Sequence, residues 1–138
     1  ALKELAGLVL DHEGYPDDTE VTILFVDDES IAGYNERFMD RTGPTDVLAF
    51  PLEELEAGVA PTPTRGGPPI HLGDVIISPA TVGRQAAERG VPVEDELSLM
   101  IVHGMLHLMG WDHPDDALAE RMEQREAEIL AKIGKARP

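Results

Sequence analysis

Apolar residues fall at helical spacing from the outset: Leu2, Leu5, Leu8 and Val9 share one face, and Gly14, Tyr15, Pro16 and Asp17 break the pattern. Residues 21–26 are β-branched and apolar over too short a run for a buried helix, which predicts an internal strand; Asp27 and Asp28 end it and can cap the next element. A second helix is expected over residues 29–38, where Ile31, Tyr34 and Phe38 lie on one face. Residues 42–45 carry turn chemistry, and residues 46–51 read as a strand stopped by Pro51. The stretch 53–69, with Pro61, Pro63, Gly66, Gly67, Pro68 and Pro69, reads as a long mobile loop whose chain rejoins the same core. Residues 73–78 form the next expected strand. Ser78 can then cap, and Pro79 open, a helix ending at Gly90 with Val82 and Ala86 inward.

The fourth helix opens at Pro92 and Val93. It carries Leu97, Met100, Ile101, Met105 and Leu108, with apolar residues nearly all round up to Gly110, and so belongs at the centre of the fold. Asp115 or Asp116 caps a last helix ending at Gly134, with Leu118, Met122, Ile129 and Ile133 inward and a charged outer face from Glu120 to Glu128. The 138 residues fit one domain, 1–138. No apolar run approaches the ~18 residues of a membrane span and no basic-then-apolar leader is present, so no membrane partner and a cytoplasmic location are expected. The chain opens on Ala1 inside a helical pattern, which suggests that a short leading segment is missing.

Composition narrows the chemistry. The absence of cysteine excludes disulfides and thiolate metal sites, leaving imidazole and carboxylate to hold any metal. Eleven Lys and Arg stand against 27 Asp and Glu, a net charge of −16 that is unfavourable for binding a polyanion. An RNA substrate therefore requires the acids to be segregated on the last helix and around Glu53, Glu54 and Glu56, away from a locally basic cleft.

His103 and His107 are four apart on a helix, so their rings project from one face a turn apart. Gly110 stops that helix in time for the chain to bring His113 to the same point as a third ligand. This spacing coincides with that of the metzincin zinc ligands, whose general-base Glu would come directly after the first His; here that position is Gly104. The pattern thus predicts one Zn2+ per chain on three neutral imidazoles, with a fourth position open to water, in a hydrolase other than a protease. Buried unpaired imidazoles on so apolar a helix are costly, and a metal removes that cost. His12 and His71 lie outside the motif and are read as incidental, although His71 precedes a strand that can bring it towards the site.

The segment from His103 to His113 resembles the signature of the bacterial YbeY proteins, with Trp111 where Tyr is usual. Residues 44–51 and 72–78 resemble that family's second and third motifs, and the likeness runs over nearly the whole chain. The resemblance implies an α+β zincin-like single domain: a small mixed sheet of three to four strands, about five helices and a metal-binding central helix. It also implies a single-strand-specific endoribonuclease acting in rRNA maturation at the small-subunit 3′ end and in ribosome quality control, with a small-subunit ribosomal protein and the Era GTPase as partners. Family members generally begin with a strand before the first helix, which this sequence lacks. Many also place an important Arg after the aromatic residue that precedes the second motif; here Phe38 is followed by Met39.

Arg41 and Arg37 are the alternative sources of positive charge for a phosphate, or else ordinary surface arginines. Asp112 can orient His113 or take a proton, or simply cap. Asp74 and Thr45 can line the cleft or satisfy local backbone, and Trp111 can stack a base or pack beneath the site. Two other functions stay open. One is a metalloprotease-like hydrolase of another substrate, against which Gly104 counts. The other is a non-catalytic ribosome-assembly factor with a structural zinc, in which a fourth protein ligand would close the site.

Overall fold

A computed structural model describes residues 2–60 and 67–138. Its elements run α1 (Leu2–His12), β1 (Glu20–Phe25), α2 (Asp28–Met39), β2 (Val47–Pro51), β3 (His71–Ile77), α3 (Pro79–Arg89), α4 (Val93–Leu108) and α5 (Asp116–Ala131). The strands form one sheet in the order β1-β3-β2, parallel between β1 and β3 and antiparallel between β2 and β3. Three strands and five helices match the α+β expectation. The expected loop keeps a short turn in which Glu56 and Val59 form an antiparallel bridge; its residues 61–66 lie outside those described.

Side chains alternate across a pleated strand, and on β3 this sends Val75 and Ile77 to one side and Ile76 to the other. The first side is covered by α4, whose Ile101, Val102, Met105 and Leu106 are fully buried; around it pack α1, α3, α5, β2 and β3. A helix apolar on most of its circumference is stable only where protein surrounds it, and here it is the axis of the main core. The second side is covered by α2, where Ile31 meets Leu48 and Ile76 with Tyr34 and Phe50 at the margin.

The capping residues hold as expected. Asp27 accepts the Ser30 amide, Ser78 accepts that of Thr81 with Pro79 beginning α3, and Asp115 accepts that of Leu118. The neighbouring Asp28 takes hydrogen bonds from the Ser78 and Thr81 hydroxyls, at 2.6 and 2.7 Å, and an ion pair from Arg84, so it ties the starts of α2 and α3 together. On α5 the inward Met122 and Ile129 are buried, while Leu118, and Ile133 just beyond the helix, are only partly so. One expectation fails there. Glu126, placed by its pattern on a charged outer face, is 1% exposed and points into the protein.

Candidate metal centre

The geometry begins with α4. Its last two turns present His103 and His107 with their Nε2 atoms 3.0 Å apart, and the helix gives way at Met109. Gly110 makes the next turn. Its φ is +95°, and a Cβ there would lie 2.1 Å from the Leu55 carbonyl oxygen, so neither the backbone angle nor the space admits another residue. His113 is thereby returned to the helix end. One ligand atom from each of the three imidazoles lies within 4.8 Å of the others, and no fourth side chain joins this group among the described residues.

The donor set fits a metal. Two ligands about 2.0–2.1 Å from a tetrahedral ion stand roughly 3.3 Å apart, close to the separation seen between His103 and His107. Burial, and then the neighbouring His103 and His113, push the His107 pKa below its ordinary value, favouring the neutral form that ligates. His103 is turned by a contact the sequence did not suggest: its Nδ1 lies 2.6 Å from Glu126 Oε2. Burial alone would raise the Glu126 carboxyl, but the hydrogen bonds and charges of His103 and Arg137 outweigh it and hold it below the usual carboxylate range. An ionised carboxylate only accepts, so Nδ1 of His103 is the donor in this contact, and the neutral tautomer that fits it leaves the Nε2 lone pair facing His107. Arg137 Nε donates to the other oxygen of Glu126 at 3.0 Å.

The three histidines open into a cleft of about 820 Å³ between α4 and β2. Thr45, Met39, Arg41 and Asp112 line it. Asp74 does not: it shares the Ile76 side of β3, away from α4, so its expected place in the cleft is corrected. Arg37 also lies outside the lining and sits over the Phe38 ring instead. Asp112 accepts the backbone amide of His113 at 2.8 Å and stands 3.7 Å from that ring's Nδ1, a local contact at an exposed turn.

Gly104, where a protease would carry its base, faces the sheet: a Cβ there would meet Val75 Cγ1 at 2.6 Å. Trp111 packs rather than stacks. It is buried, its indole N–H donates to Glu13 at 2.9 Å, and the Arg125 guanidinium lies 4.6 Å from its ring centre. His12, read as incidental, joins the same knot through Glu13 at 2.7 Å and Glu128 at 3.1 Å. His71 stays remote, beside Thr22 and Glu20 on the sheet.

The locally basic cleft is not observed. Its charged lining is three arginines, Arg41, Arg89 and Arg137, against four carboxylates, Asp46, Glu96, Asp112 and Glu126. The two buried acids are matched, Glu96 by Arg89 and Glu126 by Arg137, while Arg41 has no ion-pair partner among the described residues. A divalent ion on the histidines turns this balance from negative to positive by one charge.

Fold and site together define an α+β domain whose central helix and the turn after it can hold a metal ion through three imidazoles. The family model of Endoribonuclease YbeY matches residues 1–134, and the chain belongs to that family. It is 42% identical over 132 residues to Endoribonuclease YbeY of Acidothermus cellulolyticus, covering 94% of this chain and 79% of that protein. To the Endoribonuclease YbeY of Methylococcus capsulatus it is 46% identical over 119 residues, covering 86% and 73%. Among solved structures it is similar to the solution structure of TM1509 from Thermotoga maritima, with a TM-score of 0.60 and 28% identity, covering 96% of this chain and 81% of that one. No helix among the described residues is long and apolar enough to cross a membrane.

Proposed function

We propose that this chain is a zinc-dependent endoribonuclease that cleaves single-stranded RNA, with His103, His107 and His113 as the metal ligands. The observation that carries this reading is the convergence of three imidazoles in an open cleft, without a fourth protein ligand among the described residues. A zinc ion so held supplies Lewis acidity towards a phosphoryl oxygen and makes an attacking water more acidic. The protein's own residues do the rest. Arg41 lines the cleft without an ion-pair partner among the described residues and offers its guanidinium to a phosphate, at a point where Met39 stands in place of the family arginine, and Asp112 orients His113 or takes a proton.

The curated relatives are named endoribonucleases, which supports RNA over peptide as substrate. Crowding of Gly104 against Val75 also weighs against a metalloprotease-like hydrolase, because even a Cβ at the position of the protease base would fall 2.6 Å from the valine. The cellular role we assign is rRNA maturation at the small-subunit 3′ end and ribosome quality control, in the cytoplasm, with a small-subunit ribosomal protein and the Era GTPase as partners. The reading of a non-catalytic assembly factor draws on Met39 in the cleft and is separated by experiment. Purified protein is incubated with single-stranded rRNA, with and without chelator, beside His107→Ala. Cleavage by the untreated wild type alone is the expected result; equal cleavage in all three samples marks a contaminating nuclease, and no cleavage by metal-loaded wild type favours the assembly factor.

A further inference from the structure

Glu126 is a fully buried carboxylate in contact with the histidine cluster, and it comes from a different element from any of the three imidazoles. Its side chain is 1% exposed, one oxygen lies 2.6 Å from His103 Nδ1, and the other accepts from Arg137 Nε at 3.0 Å. A carboxylate so far from water is stabilising only if both oxygens are satisfied, and here both are, by groups at the two ends of one line: Arg137, Glu126, His103.

Helix-packing needs alone do not account for this residue. The flanking inward positions of α5, Met122, Ile129 and Leu130, are apolar and buried, and an apolar side chain would pack there without desolvating a charge. The carboxylate also selects among states of His103 that packing would leave open. It accepts a hydrogen bond from Nδ1–H, which fixes the tautomer, fixes the ring's rotation and aims the Nε2 lone pair at the point that His107 Nε2 also faces.

We infer that Glu126 is a positioning residue for the metal: it locks His103 in the Nδ1–H form and raises its strength as a ligand, with Arg137 holding Glu126 in place. The inference rests on the three histidines being a metal centre. Its consequence is that metal affinity depends on the docking of α5, since this carboxylate ties that helix to a ligand by a hydrogen bond. An outer partner of this kind changes affinity by about 10–100-fold when removed.

The test is zinc affinity by chelator competition on the full chain, for wild type, Glu126→Gln and Arg137→Ala. Glutamine keeps the shape and loses the charge. Binding weaker by about 10–100-fold in Glu126→Gln, and by a smaller factor in Arg137→Ala, is the expected result. Nitrogen NMR of the zinc-loaded wild type should show His103 protonated at Nδ1 and ligated through Nε2, a signature that a merely structural role would not require. Thermal melts of the metal-free proteins establish that each variant folds. Should Glu126→Gln fold poorly, the tautomer found in the wild type decides by itself. Equal affinity in folded Glu126→Gln, or ligation of His103 through Nδ1, overturns this inference while leaving the metal centre standing. Failure of the wild type to bind zinc overturns both.

Discussion

At the scale of single residues, space and hydrogen-bonding capacity decide what each position can do. Gly104 and Glu126 show this from opposite directions. At Gly104 the helix approaches the sheet so closely that a methyl group would fall 2.6 Å from Val75. Gly104→Ala is therefore expected to cost about 1–3 kcal/mol through overpacking. Gly104→Glu, which restores the protease spelling, should destabilise further by burying a carboxylate and should yield no peptidase activity. Urea denaturation and a casein assay check this pair, and a stable, proteolytic Gly104→Glu protein would contradict the packing account. Arg41 makes a different point, since it lines the cleft with no ion-pair partner among the described residues. Arg41→Ala should weaken single-stranded RNA binding at low salt and reduce the slope of log affinity against log salt by about 0.7, the share of one phosphate contact. Fluorescence anisotropy over a salt series reads both quantities, and an unchanged slope would remove Arg41 from the RNA path.

At the scale of elements, the junction between α2 and α3 carries a pH dependence. Asp28 is held below the ordinary carboxylate range by hydrogen bonds from Ser78 and Thr81, with a further contribution from Arg84. In the unfolded chain its pKa returns to about 3.9, so between the two values the unfolded state binds more protons and stability rises with pH. The contribution is complete above the unfolded value and is lost as pH falls through the folded one. Wild type should therefore exceed Asp28→Asn in urea midpoint at neutral pH, and the gap should close as the pH drops below about 4. A gap that persists unchanged to about pH 2, below the usual carboxylate range, would assign the effect to packing. The same junction is stabilising for the site only indirectly, since α3 packs on α4 and α4 carries two of the histidines.

At the scale of the whole molecule, metal and fold are linked. A ligand that binds only the folded state adds about 2.7 kcal/mol at a hundred times its Kd, which for a chain of this size is on the order of 10 °C in Tm. Zinc should raise the melting temperature by that order and chelator should reverse it. The effect should fade as pH falls through the imidazole range, because protons compete for the three nitrogens. His107, its pKa pushed down by burial and its neighbours, stays neutral and able to ligate to a lower pH than an ordinary histidine would. A melting temperature indifferent to zinc at neutral pH would mean that the folded state offers the ion no better site than the unfolded chain.

Periodicity and turn chemistry are local properties of a chain, and what depends on them could be read in advance: five helices, three strands, a cap at Ser78 and one at Asp115 or Asp116, the central place of α4, and the three-histidine spacing closed by Gly110. What depended on distant segments meeting could not. The α5 pattern assigns Glu126 to solvent because charge there is ordinary, and only the approach of His103 from α4 and Arg137 from beyond α5 makes a buried carboxylate tolerable. The mixed charge of the cleft, the turning of Asp74 to the far side of the sheet and the seating of Trp111 and His12 on Glu13 were settled in the same way. A hydrogen bond between remote segments leaves no period in the sequence, because its partners are chosen by the packing of whole elements rather than by spacing along the chain.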